Sequence, residues 1–155
     1  MKIAIQNIHQ LSGLRHFKLH NYAIEMVKLG FIDLLYFDDP RFLLSRDFLD
    51  IYQKYTAQEL GILKTRISFR QEDLNQCDVL LNFDSTPEQF TPAVKQFKGL
   101  KIFHAMDYFW YEPFVKKAKR LKEYGIDFVM GYGSHDIDDL YFQKYSSAIL
   151  ILCCY

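Results

Sequence analysis

Five short apolar runs punctuate the chain: Lys2–Ile8, Asp33–Phe37, Asp78–Phe83, Lys101–Met106 and Asp127–Met130. Each is nearly continuous rather than alternating, the pattern of strands buried on both faces of a parallel sheet. A sixth stretch, Thr65–Phe69, alternates and is flanked by charges, which makes it a weaker strand. Between the runs, apolar positions recur at helical spacing. In Phe17–Leu29, the residues Leu19, Tyr22, Ala23, Met26 and Val27 share one face, and Gly30 ends the helix. Phe42–Leu60 contains a second helix, with Ser45 as its cap and Phe48, Leu49, Tyr52 and Tyr55 facing inward. Thr86-Pro87-Glu88 is a start signal, followed by Phe90, Ala93, Val94 and Phe97 and closed by Gly99. Pro113 opens another helix, with Phe114, Ala118 and Leu121 on its core face and Gly125 as its stop.

Two joints repeat one order. Lys28-Leu29-Gly30-Phe31-Ile32-Asp33 and Glu123-Tyr124-Gly125-Ile126-Asp127 both run helix, glycine, aliphatic, aspartate, strand. The alternation predicts an α/β fold: a Rossmann-like open, mostly parallel sheet, with helices on both faces in three layers and right-handed crossovers. Residues 1–145 read as one such domain. Residues 146–155, Ser146-Ser147-Ala148-Ile149-Leu150-Ile151-Leu152-Cys153-Cys154-Tyr155, form an atypical apolar tail, either a last strand or the end of a chain cut short.

Composition fits one domain: 155 residues, 50% hydrophobic and 25% charged. Nineteen basic residues balance nineteen acidic ones, so no bulk electrostatic footprint for nucleic acid exists. Cys77, Cys153 and Cys154 make neither a disulfide framework nor a Cys-x-x-Cys metal pattern. The opening apolar run is too short for a signal peptide, and no segment approaches the length of a membrane span. A reducing, cytoplasmic setting is the expectation, and neither a metal nor a cofactor is expected.

In open α/β sheets, ligands bind outside the carboxyl ends of the strands. The residues that follow each run are therefore the candidates: His9, Ser12, Gly13, Arg15 and His16 after the first, and Asp84 after the third. His104 and Asp107 end the fourth, and Gly131, Gly133, Ser134 and His135 follow the fifth. An aspartate three residues from a histidine at a strand end suits the orientation of an imidazole for base work, so His104 and Asp107 are the catalytic candidates. Gly131-Tyr132-Gly133-Ser134-His135-Asp136 allows close backbone approach before a helix start, but it is not the dinucleotide fingerprint, because Asp136 stands where the third glycine belongs. The helix after Pro113 carries Lys116, Lys117, Lys119, Arg120 and Lys122. It follows Phe109-Trp110-Tyr111, and such an element can rest on an anionic membrane.

The opening strand with its loop to Phe17, Cys77-Asp78-Val79-Leu80-Leu81-Asn82-Phe83-Asp84, Phe103-His104-Ala105-Met106-Asp107-Tyr108 and Tyr124-Gly125-Ile126-Asp127-Phe128-Val129-Met130-Gly131-Tyr132-Gly133 are the stretches that carry a resemblance. Together the chain, from Met1 to about Tyr145, resembles the N-terminal, acceptor-side half of a GT-B glycosyltransferase of the bacterial surface-polysaccharide group. The resemblance implies sugar transfer from a nucleotide-sugar donor to a glycan or lipid-linked acceptor. His104 and Asp107 would then touch the acceptor or the transferred sugar, and Ser12 and Gly13 would line the phosphate side. Peripheral membrane contact through Lys116, Lys117 and Arg120 would fit such an enzyme. The first loop has one glycine where many relatives have a pair. The nucleotide-binding second half is absent, so a missing donor-binding domain or second chain would be needed for activity, and the tail looks like a truncated or frameshifted end. The alternatives are a stand-alone flavodoxin-like or nucleotide-binding module and a non-catalytic interaction domain.

Overall fold

The computed structural model describes residues 1–7, 25–37, 56–83, 91–105, 114–132 and 150–154. The chain divides into two compact units, Met1–Val79 and Leu80–Tyr155.

In the first unit the strands β1 (Ile3–Asn7), β2 (Leu34–Tyr36) and β3 (Ile67–Ser68) lie in the order β3-β2-β1 and run parallel. Ala4 pairs with Leu34, Ile5 with Leu35 and Gln6 with Tyr36, while Leu35 and Tyr36 in turn pair with Ile67 and Ser68. Ala4, Ile5 and Gln6 are all buried although their side chains alternate between faces, so both faces of β1 are covered. The alternating Thr65–Phe69 stretch supplies β3, the shortest strand described.

Helix α1 (Ala57–Arg66) begins at Thr56 through a reciprocal cap. The Thr56 hydroxyl accepts from the Glu59 amide at 3.3 Å, and the Glu59 carboxylate accepts from the Thr56 amide at 2.8 Å. The helix expected within Phe42–Leu60, with Ser45 as its cap and Phe48, Leu49, Tyr52 and Tyr55 facing inward, lies for the most part outside the described residues. The described helix has its cap at Thr56 and continues to Arg66, beyond the expected end at Leu60, with Leu63 buried. A single turn, α2 (Gln71–Leu74), buries Leu74 completely. The helical turn 25–28 ends at Gly30, whose φ of 78° is left-handed. Two bonds close it, Gly30 N–H to the Val27 carbonyl and Phe31 N–H to the Met26 carbonyl. Val27, Ile32, Leu35, Phe37, Leu63 and Leu74 belong to the core.

The second unit holds all but the first residue of β4 (Val79–Phe83), with β5 (Leu100–Ala105), β6 (Phe128–Tyr132) and β7 (Leu150–Cys154), in the order β4-β5-β6-β7. β5, β6 and β7 are parallel. The apolar tail thus contributes a strand, in register with β6 from Phe128↔Leu150 to Tyr132↔Cys154. Helix α3 (Pro92–Gln96) follows Thr91 and buries Ala93 and Val94. Helix α4 (Phe114–Glu123) follows Pro113 and ends at Gly125 with the same double closure, Gly125 N–H to the Lys122 carbonyl and Ile126 N–H to the Leu121 carbonyl. Leu121 and Ile126, the apolar pair that this motif brings together, are both buried, with Phe97, Phe103 and Val129 also in the core.

The α/β class with parallel strands, expected from the continuous apolar runs, is the class observed. No described helix is long and apolar enough to cross a membrane.

Candidate functional site

The amino ends of the strands carry a recurrent polar device. Asp33 precedes β2; its amide donates to the Ile3 carbonyl and its Oδ2 accepts the Ile3 amide, both at 2.9 Å. Asp127 precedes β6 and does the same with Lys101, at 3.0 and 2.9 Å. Asp78, ahead of β4, does it with Lys2, at 2.9 and 2.7 Å. The reason is geometric for the first two. In a parallel ladder each amide would next pair with a carbonyl two residues before the aspartate, but there the chain is still turning out of a helix. The carboxylate takes that carbonyl's place and satisfies the Ile3 and Lys101 amides. The repeated glycine–aliphatic–aspartate order seen in the sequence is therefore an edge clasp.

Lys101 adds a second use of the same edge. It is only 8% exposed, and its ammonium donates to the Tyr124 carbonyl at 2.9 Å and to the Lys95 carbonyl at 3.4 Å. These are terminal carbonyls of α4 and α3, which lack intrahelical partners. Burial pushes the Lys101 ammonium below its usual range, and the nearby Asp127 carboxylate partly restores it.

A cavity of about 230 Å³ opens at the amino ends of β1, β2 and β3, lined by Lys2, Asp33, Arg66, Ser68, Asp73 and Cys77 among others. Most of its polar groups are already engaged with one another. Arg66 donates to the Asp33 carbonyl at 3.4 Å and lies 3.8 Å from its carboxylate. The Ser68 hydroxyl donates to Asp73 Oδ2 at 2.6 Å and accepts the Arg70 amide at 3.0 Å. Burial, followed by the charge of Asp33, pushes the Cys77 thiol upward. It stays protonated at neutral pH, the unreactive form. Sequence reading singled out neither Lys101 nor this cavity. The signal for Lys101 was present, a lysine opening an apolar run, but a strand-end lysine ordinarily reads as solvated.

At the opposite, carboxyl ends of the strands, the structure brings two predicted positions together. His104 is the penultimate residue of β5 and pairs in register with Met130, and the next pair is Ala105 with Gly131. His104 and Gly131 thus stand one step apart on adjacent parallel strands. Asp107, His9, Ser12, Gly13, Arg15, His16, Asp84, Gly133, Ser134 and His135 lie outside the described residues.

The class is α/β with parallel strands, and each unit holds aspartate clasps at strand starts. No protein-family model matches the chain, and no curated protein matches it. Among solved structures, it is similar to a double-substitution variant of the Sulfolobus solfataricus 2-keto-3-deoxygluconate aldolase, with 13% identity and a TM-score of 0.37 over 100% of this chain and 61% of that one. A triple-substitution variant of that aldolase in complex with pyruvate gives 14% identity and a TM-score of 0.35, over 99% of this chain and 60% of that one. The Sulfolobus aldolase in complex with D-KDPG gives 14% and 0.36, again over 99% and 60%. The chain spans about three fifths of the length of these aldolases.

These findings correct the glycosyltransferase reading. The similar structures are aldolases, and sugar transfer and polysaccharide synthesis are not carried forward. Part of the wording that carried the resemblance has a physical origin: in Cys77-Asp78 and Gly125-Ile126-Asp127 the aspartates are edge clasps that hold the Lys2 and Lys101 amides. The alternatives, a flavodoxin-like or nucleotide-binding module and an interaction domain, gain nothing from the comparisons. Likeness at this level assigns no aldolase activity to the chain either.

Proposed function

We propose that the chain is a small-molecule-binding α/β protein whose polar ligand sits at the carboxyl ends of β5 and β6, against His104 and the glycine at Gly131. The observation that carries this reading is the register Ala105↔Gly131 beside His104↔Met130. It puts the histidine position and a glycine one step apart at the ends of adjacent strands, on the edge where open α/β sheets take their ligands. A glycine there admits close approach of a ligand to the backbone. The described amino-edge groups, by contrast, are largely consumed by clasps and helix-end contacts.

A panel of small polar metabolites screened by ligand-observed NMR tests the proposal. Ligands that bind the parent and Lys64→Ala equally, but bind His104→Ala at least tenfold more weakly, support it. Equal affinity for His104→Ala, or backbone shifts confined to residues 30–34 and 66–68, overturns it.

A further inference from the structure

The chain has no net charge, yet α4 concentrates it. Five of its ten residues, Lys116, Lys117, Lys119, Arg120 and Lys122, are basic, against a single acid, Glu123. That acid is compensated from outside the helix, since Lys95 of α3 bridges Glu123 at 3.3 Å. By sequence α4 thus carries a formal net charge of +4, five cations less one acid.

The arrangement of these charges matters as much as their number. Leu121 is fully buried and fixes the core side of the helix. At about 100° per residue, the positions of Lys116 and Lys119 fall opposite Leu121, with Arg120 and Lys122 flanking them. Lys119 and Lys122 are exposed. The Arg120 guanidinium lies over the Tyr124 ring, 5.7 Å from its centroid. Lys117 falls about 40° from Leu121, on the core side, and three of the other four cations are lysines, compact point charges suited to a diffuse anionic plane rather than to forked recognition of single bases or phosphates. In sequence, the helix is preceded at close range by Tyr108-Phe109-Trp110-Tyr111, residue types that favour the boundary between water and lipid.

We infer that α4 is an electrostatic docking face for an anionic lipid bilayer, on which the chain rests reversibly by charge complementarity. Attraction of about 1 kcal/mol per lysine near such a surface, a factor of about five each, makes three lysines worth about a hundredfold in partitioning. A single ten-residue face carries no more than reversible association, which salt removes.

The test is co-sedimentation of the full chain with two kinds of vesicle, phosphatidylcholine alone and phosphatidylcholine with about one third phosphatidylglycerol. The expected result is binding to the anionic vesicles only, lost on raising the salt. The combined Lys116→Gln, Lys119→Gln and Lys122→Gln variant should bind about a hundredfold more weakly, and Lys64→Gln in α1 should bind like the parent. Glutamine keeps helix propensity, and circular dichroism verifies that the triple variant folds. Equal binding to both vesicles, unchanged binding by the triple variant, or failure of the parent to sediment each overturns the inference. So does tighter binding to a DNA duplex than to the anionic vesicles.

Discussion

Replacing Asp127 with alanine isolates the edge clasp. The substitution removes the Oδ2 that accepts the Lys101 amide at 2.9 Å, and leaves intact the Asp127 amide bond to the Lys101 carbonyl at 3.0 Å. Lys101 is buried, so its amide loses a charged acceptor without gaining free access to water. Hydrogen bonds to charged groups contribute about 1.5–3 kcal/mol, and a loss of about 2 kcal/mol is the expected cost. In a chain of this length that corresponds to a fall in Tm of about 4–8 °C. Asp127→Asn keeps an oxygen acceptor at the same reach and gives up only the charge, so it should cost less than half as much. Equilibrium urea unfolding followed by circular dichroism reads both, with the alanine variant lowering the midpoint at constant m-value. If alanine and asparagine are equal, and both lie within about 0.5 kcal/mol of the parent, the clasp is a contact without energetic content and the reasoning fails.

Two further outcomes follow from the same geometry. Lys28, by hydrogen bond, and next the Thr56 amide hold the Glu59 carboxyl down at about 2, against an ordinary 4.5. A depressed carboxylate contributes stability that is present above its unfolded pKa and lost as pH falls toward the folded one. The stability of the parent should therefore drop between about pH 4.5 and pH 2 more steeply than that of Glu59→Gln, and salt should shrink the difference because the pair is partly open to solvent; equal slopes in parallel acid titrations of the two proteins would refute it. Gly125→Ala forces a side chain into a left-handed φ of 67°, at a cost of about 1–2 kcal/mol. Gly30→Ala, at 78° with open space around its Cβ position, should cost a similar amount, and thermal denaturation that shows either substitution to be neutral would remove the left-handed closure from the account of these helix ends.

The strands were legible because their chemistry is local. A strand covered on both faces needs apolar residues in succession, and Ala4-Ile5 or Val79-Leu80 display that requirement without reference to anything distant. The helix stops at Gly30 and Gly125 were legible for the same reason, since a left-handed turn favours glycine. Where the reading went astray, a local signal was present but outweighed. Thr56 and Glu59 form a capping pair that the surrounding apolar residues of Phe42–Leu60 concealed, and the helix runs on past Leu60 to Arg66. The roles of Asp33, Asp78 and Asp127 were beyond local reading altogether, because their partners lie 30, 76 and 26 residues away. Lys101 is the same case in reverse: its charge predicts solvent, and only the convergence of two helix ends explains its burial. For the candidate site, the sequence supplied the residue types at the strand ends, whereas the adjacency of His104 and Gly131 is a matter of strand order and register.

Strands that are apolar on both sides face an ambiguity that half-exposed strands escape. When one face is wet, a slip by one residue carries the whole hydrophobic set into water, and the pattern itself forbids the error. With Ala4 and Ile5 buried alike, sliding β1 past β2 would still bury oil against oil, so greasiness cannot say where the two strands should align. The aspartates can. A carboxylate reaches one particular amide and no other, and any slip strands that charge beside an amide it cannot meet. Asp33 and Asp127 thus act as alignment marks, and they let a sheet written in nearly uniform hydrophobic letters be read in a single frame.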